Sequence, residues 1–84
     1  MFSIEWKRKA VKQLQKIDRT NQAQIVADVG GLANWPDCPN VKHLTKHKYA
    51  YRLRVGRYRV FFNVLDRIEV INIEEVKKRD GRTY

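Results

Sequence analysis

The chain has 84 residues, 18 of them Lys or Arg and nine Asp or Glu, so its formal net charge is +9. This length fits one domain spanning residues 1–84 and excludes two. An apolar fraction of 43% is enough for a folded core and argues against a disordered chain. Twelve of the basic residues lie in 41–84, and such a concentration of charge favours an anionic partner, either nucleic acid or an acidic protein.

Cys38 is the single cysteine, so no disulfide can form within the chain, which fits a reducing compartment. The first 20 residues are too rich in charge for a secretion signal. No apolar run approaches the roughly 20 residues that span a bilayer. We therefore expect a cytoplasmic protein with no membrane partner.

The hydrophobic pattern predicts a strand and two helices in the first half of the chain. Residues 1–6 alternate as a short strand, and residues 7–17 place their apolar side chains on one helical stripe. A second helix is expected from about residue 21 to about residue 33. Both prolines fall in 34–40, which we interpret as a loop. The short connection between the helices predicts an antiparallel pair.

Beyond residue 48 the pattern alternates, which predicts three antiparallel strands. Residues 49–55 form the first strand, and Gly56-Arg57 is a two-residue turn with glycine first, typical of a type II′ hairpin. Residues 58–65 form the next strand, and a turn at Asp66-Arg67 leads to the last, 68–76. The prediction is an α+β fold of order β-α-α-β-β-β, with an N-terminal strand and an antiparallel two-helix hairpin packed on one face of an antiparallel meander sheet.

The two tight turns set which residues face one another. The first turn places Arg54 opposite Arg59 and Arg52 opposite Phe61. The second turn places Arg59 opposite Glu74. One face of the sheet is then apolar and forms the core beneath the helices, with Tyr51, Leu53, Val60, Phe62, Ile71 and Ile73.

The opposite face carries the arginines. Like charges placed directly across a strand pair destabilise a sheet, so Arg54 beside Arg59, with Arg52 nearby, serves an anion rather than the fold. Guanidinium groups are suited to phosphate. The alternative interpretation is a solvated face on which Glu74 partly neutralises Arg59. The same face has an apolar set that would be exposed unless a strand, the tail or a partner covers it, namely Phe61, Leu65, Ile68 and Val70.

Two stretches of the chain resemble a known family. Residues 41–62 read VKHLTKHKYAYRLRVGRYRVFF, and residues 76–84 read VKKRDGRTY. They resemble RelE-type toxins, in which a leucine–x–YRLR–x–G–YRV hairpin precedes a hydrophobic strand and a V–x–KR tail ending near a tyrosine. The resemblance to the RelE/ParE superfamily covers the whole chain in order and is sharpest over residues 41–84.

The resemblance implies the toxin of a type II toxin–antitoxin pair, bound by a cognate acidic antitoxin. The RelE branch inhibits translation by cutting mRNA in the ribosomal A site. The 2′-hydroxyl attacks the adjacent phosphate and leaves a cyclic phosphate and a 5′-hydroxyl, without a metal or other cofactor.

The resemblance also implies roles for individual residues. Arg59 would bind the scissile phosphate, Arg79 would act as general acid, and Tyr84 would stack on a base. Arg52 and Arg54 would hold the basic positions of the first hairpin strand. Further RNA contacts are expected from the neighbouring basic residues Lys46, Lys48, Arg57, Lys77, Lys78 and Arg82.

The general base stays open. Where this chain has arginine in the first hairpin strand, RelE has a lysine as candidate base, and arginine is a poor proton acceptor because its pKa exceeds about 12. The remaining candidates are Glu74, Glu75, His43 and His47. Without any of them, catalysis rests on positioning and on charge stabilisation of the pentavalent phosphate. The two histidines lack a further set of spaced ligands, so we expect no metal site.

Two other functions fit the sequence. ParE-like members share the fold and inhibit DNA gyrase without cutting RNA, but generally lack the set of arginines. A basic RNA- or DNA-binding module without chemistry is the third reading, under which loss of any one arginine weakens binding only slightly. The presence of Arg52, Arg54, Arg59 and Arg79 together favours the nuclease.

Overall fold

The computed structural model describes residues 1–79 and has the expected order of elements with one strand more. The chain runs through β1 (Ser3–Trp6), α1 (Arg8–Gln15), α2 (Arg19–Gly30), β2 (Val41–His43), β3 (Tyr51–Val55), β4 (Tyr58–Leu65) and β5 (Val70–Lys78). Short 3-10 helices follow α2 and β4, at Gly31–Asn34 and Asp66–Ile68. The α+β order is confirmed. The additional strand is β2, whose three residues are too few to show an alternating pattern.

The five strands form one mixed sheet in the order β1-β5-β4-β3-β2. The last four strands pair antiparallel, as the meander prediction requires. β1 instead pairs parallel with β5, so the sheet is mixed rather than wholly antiparallel. The parallel pair is possible because the two helices carry the chain back across the sheet between β1 and the later strands.

The helices cover one face of this sheet. α1 packs on β5, whereas α2 packs on β3 and β4. Asp18 begins α2 as its N-cap, and its side chain accepts a hydrogen bond from the Asn21 backbone N–H at 3.2 Å. No helix within residues 1–79 is long and apolar enough to cross a bilayer. The core between helices and sheet consists of Ala10, Ile25, Val29, Leu32, Leu53, Val55, Val60, Phe62, Ile71, Ile73 and Val76.

The β3–β4 hairpin has the predicted register. Gly56 has a φ of +56°, as the first position of a type II′ turn requires, and Val55 pairs with Tyr58 on either side of the turn. Arg54 consequently lies directly opposite Arg59. The short turn fixed this pairing, and the arginines meet because of it.

The β4–β5 register differs from the prediction. A 3-10 helix and Glu69, whose φ is +51°, replace the two-residue turn, so Leu65 pairs with Val70 rather than Ile68. With this shift of two residues, Phe62 pairs with Ile73. Because successive side chains of a strand alternate between the two faces, a register shift of two residues keeps each side chain on its predicted face. The predicted core face is therefore still correct in this part of the sheet.

A bulge then reverses the faces of β5. The register shifts again between Phe61 and Phe62, so Val60 pairs with Val76 and Arg59 pairs with Lys77. The extra residue turns Val76 into the core. The prediction that Glu74 lies opposite Arg59 is wrong, since a lysine occupies that position.

Candidate nucleic-acid interface

Cations form two rows across the face of the sheet that the helices leave uncovered. Arg54, Arg59 and Lys77 occupy paired positions on β3, β4 and β5. In the adjacent row, Lys42 on β2 pairs with Arg52 on β3. Because a lysine replaces the expected glutamate beside Arg59, this face is more basic than the sequence predicted, and strand pairing alone does not explain such a concentration of like charge.

All of these side chains except that of Lys77 line a cleft of about 230 Å³, which we call the arginine cleft. A cleft of this volume can hold one small polyatomic anion together with part of the molecule that carries it. Its basic residues come from β2, β3, β4 and the segment after β5, and its apolar and aromatic residues line the rest. The lining consists of Lys42, Arg52, Arg54, Arg59 and Arg79, with Leu44, His47, Gly56, Tyr58 and Phe61.

Arg59 lies at the electrostatic centre of the cleft. It is half-buried, and burial, followed by the charges of Arg52, Arg79 and Arg54, lowers its pKa. Arg79 is held near the hairpin turn because its backbone N–H donates to the carbonyl oxygen of Arg57 at 2.6 Å. An anion in the cleft would relieve the repulsion among these guanidinium groups.

The segment 44–50, which we call the 44–50 loop, forms one wall of the cleft. It closes on itself through a hydrogen bond from the Leu44 N–H to the Ala50 carbonyl oxygen at 2.8 Å. The Ala50 N–H donates to Asn63 Oδ1 on β4, also at 2.8 Å. The His47 ring stacks on Phe61, with 5.1 Å between ring centroids and 14° between planes.

The loop changes the expected apolar patch. Phe61 is only 6% exposed, because His47 and Tyr49 cover it. Leu65 and Ile68 remain exposed beside the β4–β5 turn. The predicted patch is therefore divided. Phe61 lines the arginine cleft, whereas Leu65 and Ile68 lie apart from it.

A buried carboxylate anchors the loop from behind. Glu75 is 4% exposed and pairs across the strands with Phe61. Its Oε2 accepts from the Tyr49 hydroxyl at 2.7 Å, and its Oε1 lies 3.2 Å from Gln13 Nε2 and 3.3 Å from Lys9 Nζ. Gln13 in turn accepts from the Val76 N–H at 2.7 Å. Glu75 thus joins α1, β5 and the 44–50 loop.

The pKa values of the two partners agree with this hydrogen bond. Burial by itself would raise the pKa of Glu75, but the hydrogen bonds from Tyr49, Gln13 and Lys9 and the charge of Lys77 lower it to about 2. The pKa of Tyr49 rises to about 12, first because its hydroxyl donates to Glu75 and then because of burial. At neutral pH the pair is therefore a carboxylate and an intact phenol.

None of the four candidate bases has the geometry of a free proton acceptor facing the cleft. Glu75 is engaged as described. His47 Nδ1 accepts from the Tyr49 N–H at 3.0 Å, so in the neutral ring the proton is on Nε2. His43 pairs with Tyr51, on the face opposite the arginines. Glu74 accepts from Asn63 Nδ2 at 3.3 Å and does not line the cleft.

The remaining predicted RNA contacts lie around the cleft or outside the described residues. Lys46 and Lys48 are exposed on the 44–50 loop, Arg57 is exposed in the hairpin turn, and Lys77 continues the cationic row. Lys78 pairs with Tyr58 and alternates to the other face. The two predicted contacts beyond residue 79, namely Arg82 and Tyr84, lie outside the described residues.

The sequence did not reveal two residues of this site. Lys42 was missed because β2 was missed, although its place two residues before Leu44 in the recognised hairpin stretch was a usable signal. Tyr49 was assigned to a strand, whereas it lies in the loop as the partner of Glu75. Within residues 1–79, no three His, Cys, Asp or Glu side chains gather as metal ligands would.

Two helices packed on one face of a mixed five-stranded sheet form a RelE-like fold. The chain is similar to a chain of the archaeal RelE–RelB complex of Pyrococcus horikoshii, with a TM-score of 0.80, 26% identity, and coverage of 95% of this chain and 97% of that one. It is similar to isolated RelE of Escherichia coli, with a TM-score of 0.79, 20% identity, and coverage of 95% and 86%.

Sequence comparisons give the family. The chain is 26% identical to a RelE-like toxin protein of Escherichia coli over 80 residues, which cover 94% of this chain and 84% of that protein. Residues 4–82 match the family model of the ParE toxin of the parDE type II toxin–antitoxin system. The chain belongs to this toxin family, within the RelE/ParE superfamily that its sequence resembles.

Proposed function

We propose that this toxin inhibits translation as a ribosome-dependent endoribonuclease that cleaves mRNA. The observation that carries the proposal is the arginine cleft, where Arg52, Arg54, Arg59 and Arg79 converge on a space of phosphate scale. Such a site suits a single phosphate of a nucleic-acid backbone, since guanidinium groups bind its oxygens in pairs. The RelE-like relatives support an RNA-directed toxin.

The proposed reaction is attack by the 2′-hydroxyl on the adjacent phosphate. The 2′-oxygen forms a bond to phosphorus, the bond from phosphorus to the 5′-oxygen breaks, and the products are a cyclic phosphate and a 5′-hydroxyl. Arg59, at the centre, would hold the nonbridging oxygens, and Arg79 would deliver a proton to the leaving 5′-oxygen. Burial is the first cause of the lowered pKa of Arg59, and the charges of the other three arginines come after it. These same charges would favour the negative charge that is added in the transition state.

Without a poised base, the rate would depend on charge and position. The proton of the 2′-hydroxyl would pass to solvent, and the cations would stabilise the additional negative charge of the pentavalent phosphate. The ribosome would supply the in-line geometry of the mRNA, and cleavage would therefore be confined to translated codons, with free RNA bound but not cut.

The partner that restrains this toxin should be an acidic antitoxin. The solved complexes of Pyrococcus horikoshii and Mycobacterium tuberculosis pair RelE-type toxins with antitoxins. An acidic segment that folds on the cationic face would neutralise the arginine cleft and exclude RNA.

The test compares growth and mRNA 5′ ends in bacteria that express the wild type, Arg59→Ala or Arg67→Ala from a tight promoter. Arg67 is an exposed arginine in the turn after β4, away from the cleft, and serves as the matched control. We expect wild type and Arg67→Ala to arrest growth with new cuts inside translated codons. Arg59→Ala should lose at least about 100-fold in cutting, as for removal of one group that stabilises transition-state charge.

The family model favours a second candidate, inhibition of DNA gyrase, because it describes ParE toxins. Growth arrest with intact mRNA and altered plasmid supercoiling would support the gyrase function and contradict the nuclease. If the wild type is harmless and RNA stays intact, the cleft serves a binding module without chemistry.

A further inference from the structure

His47 lies at the rim of the arginine cleft with one face of its ring covered and its side chain exposed. The covered face stacks on Phe61 at 5.1 Å and 14°. Phe61 itself is buried beneath it as part of the sheet. The imidazole is therefore an exposed flat surface with a rigid aromatic support, beside the four arginines.

The orientation of this ring is fixed by the backbone. His47 Nδ1 accepts a hydrogen bond from the Tyr49 N–H at 3.0 Å, so the neutral ring carries its proton on Nε2. A half-turn of the ring would break this bond, and a smaller rotation would also break the parallel stacking on Phe61. The geometry is that of a preorganised platform, and it leaves no free ring nitrogen for proton abstraction.

The loop that carries His47 is anchored to the sheet by the two residues at its C-terminal end. The Tyr49 hydroxyl donates to buried Glu75 at 2.7 Å, and the Ala50 N–H donates to Asn63 Oδ1 at 2.8 Å. The ring therefore keeps its place relative to the cleft when no ligand is bound, which lowers the entropy cost of binding.

We propose that the exposed face of His47 stacks on the nucleobase adjacent to the phosphate held by the arginine cleft. The inference deepens the proposed function and rests on it. Proteins that bind single-stranded RNA combine a positively charged track with aromatic or histidine rings on which bases stack. His47 then acts as a binding and positioning residue, and its contribution comes from the ring surface and not from proton transfer.

The test is a binding titration with the full chain and two single-stranded 2′-O-methyl RNA heptamers, which lack the attacking hydroxyl. One heptamer is intact, and the other has abasic sites at its three central positions. The proteins are wild type, His47→Ala, His47→Phe and Arg59→Ala. The aromatic replacement keeps a ring on Phe61 but has no ionisable nitrogen, so it separates stacking from acid–base chemistry.

We expect His47→Ala to bind the intact heptamer about tenfold more weakly than wild type, in line with the loss of one stacked base. His47→Phe should stay within about threefold of wild type. All three should bind the abasic heptamer equally. Arg59→Ala should weaken both heptamers, since it removes a phosphate contact.

The inference is overturned if His47→Ala binds the intact heptamer as well as wild type, if His47→Phe is as weak as His47→Ala, or if the loss is equal on the abasic heptamer. In each case, weakening by Arg59→Ala would leave the proposed nucleic-acid function standing. If neither heptamer binds wild type, or if Arg59→Ala changes neither, the arginine cleft is not a phosphate site for RNA, and the proposed nuclease site and the stacking role fail together.

Discussion

Glu75 is a buried carboxylate at the edge of a face lined by cations. Its two oxygens contact side chains from the 44–50 loop and from α1, namely Tyr49, Gln13 and Lys9. An acid in this place supports the site without neutralising its centre, because its charge is directed at the loop anchor and at α1. The residue thus holds a wall of the arginine cleft while Arg54 and Arg59 remain opposite one another.

Replacement of Glu75 by glutamine should destabilise the fold in a pH-dependent way. The folded-state pKa is about 2 against an ordinary 4.5, so the contribution is complete above about pH 4.5 and is lost as the pH falls toward 2. We expect Glu75→Gln to lower the free energy of unfolding by about 3 kcal/mol at pH 7, with the difference falling to roughly half by pH 3. Urea unfolding at several pH values measures this.

Glu69 gives the matched control. It is exposed, and its carboxylate lies 3.4 Å from the N-terminal amine. Because exposed ion pairs contribute little, Glu69→Gln should change the free energy of unfolding by less than about 1 kcal/mol. A difference between wild type and Glu75→Gln that stays constant from pH 7 to pH 3 would show that the carboxylate does not carry the stabilisation.

At the scale of elements, the β3–β4 hairpin positions the arginines, and its turn depends on glycine. Gly56 has a φ of +56°, a conformation that side chains with a Cβ rarely adopt. Gly30 ends α2 with an ordinary helical φ of −57°, and a Cβ there would meet nothing within 4 Å. The same replacement at these two positions should therefore have opposite effects on stability.

We expect Gly56→Ala to lower the free energy of unfolding by about 1–2 kcal/mol, since alanine pays the strain of the left-handed conformation. Gly30→Ala should raise it by up to about 1 kcal/mol, because alanine restricts the unfolded chain and favours the helix. Paired urea unfolding curves measure both values. Equal effects of the same sign would contradict the assignment of the turn.

Elements with a local signal were predictable from the sequence, and those that depend on distant geometry were not. Gly56-Arg57 fixed the β3–β4 register, which brought Arg54 to Arg59 as expected. The predicted β4–β5 register was wrong because a 3-10 helix and a bulge add residues between the paired positions, and no turn motif in the sequence indicates either of them. In a regular strand the core residues are two apart, but the core residues Ile73 and Val76 are three apart. This spacing was the one sign of the bulge in the sequence.

The contact between Tyr49 and Glu75 could not be predicted either, because it depends on the same bulge. Only the bulge places Glu75 on the face of Phe61, where the hydroxyl of Tyr49 reaches it. In the predicted register, Glu75 would instead have lain on the apolar face of the sheet that forms the core. The arginine positions of the site were thus predictable from sequence, whereas the loop that completes its wall required the structure.

For the molecule as a whole, the two faces of the sheet divide stability from function. The helices bury the apolar face and form the core, whereas the other face collects cations in a chain of net charge +9. Repulsion within such a face opposes folding and is relieved by bound anions. A multivalent anion that fits the arginine cleft should therefore stabilise the whole protein through binding to the folded state.

Sulfate, a tetrahedral dianion like phosphate, provides the test. At equal ionic strength, sodium sulfate should raise the free energy of unfolding more than sodium chloride, with a site-specific part of about 1.4 kcal/mol at ten times the dissociation constant. Sulfate also stabilises proteins generally by exclusion from their surface, so the comparison must include variants. The site-specific part should disappear in Arg59→Ala and persist in Arg67→Ala. If the sulfate effect is the same in all three proteins, the cleft does not bind tetrahedral anions, and the phosphate site proposed for RNA loses its support.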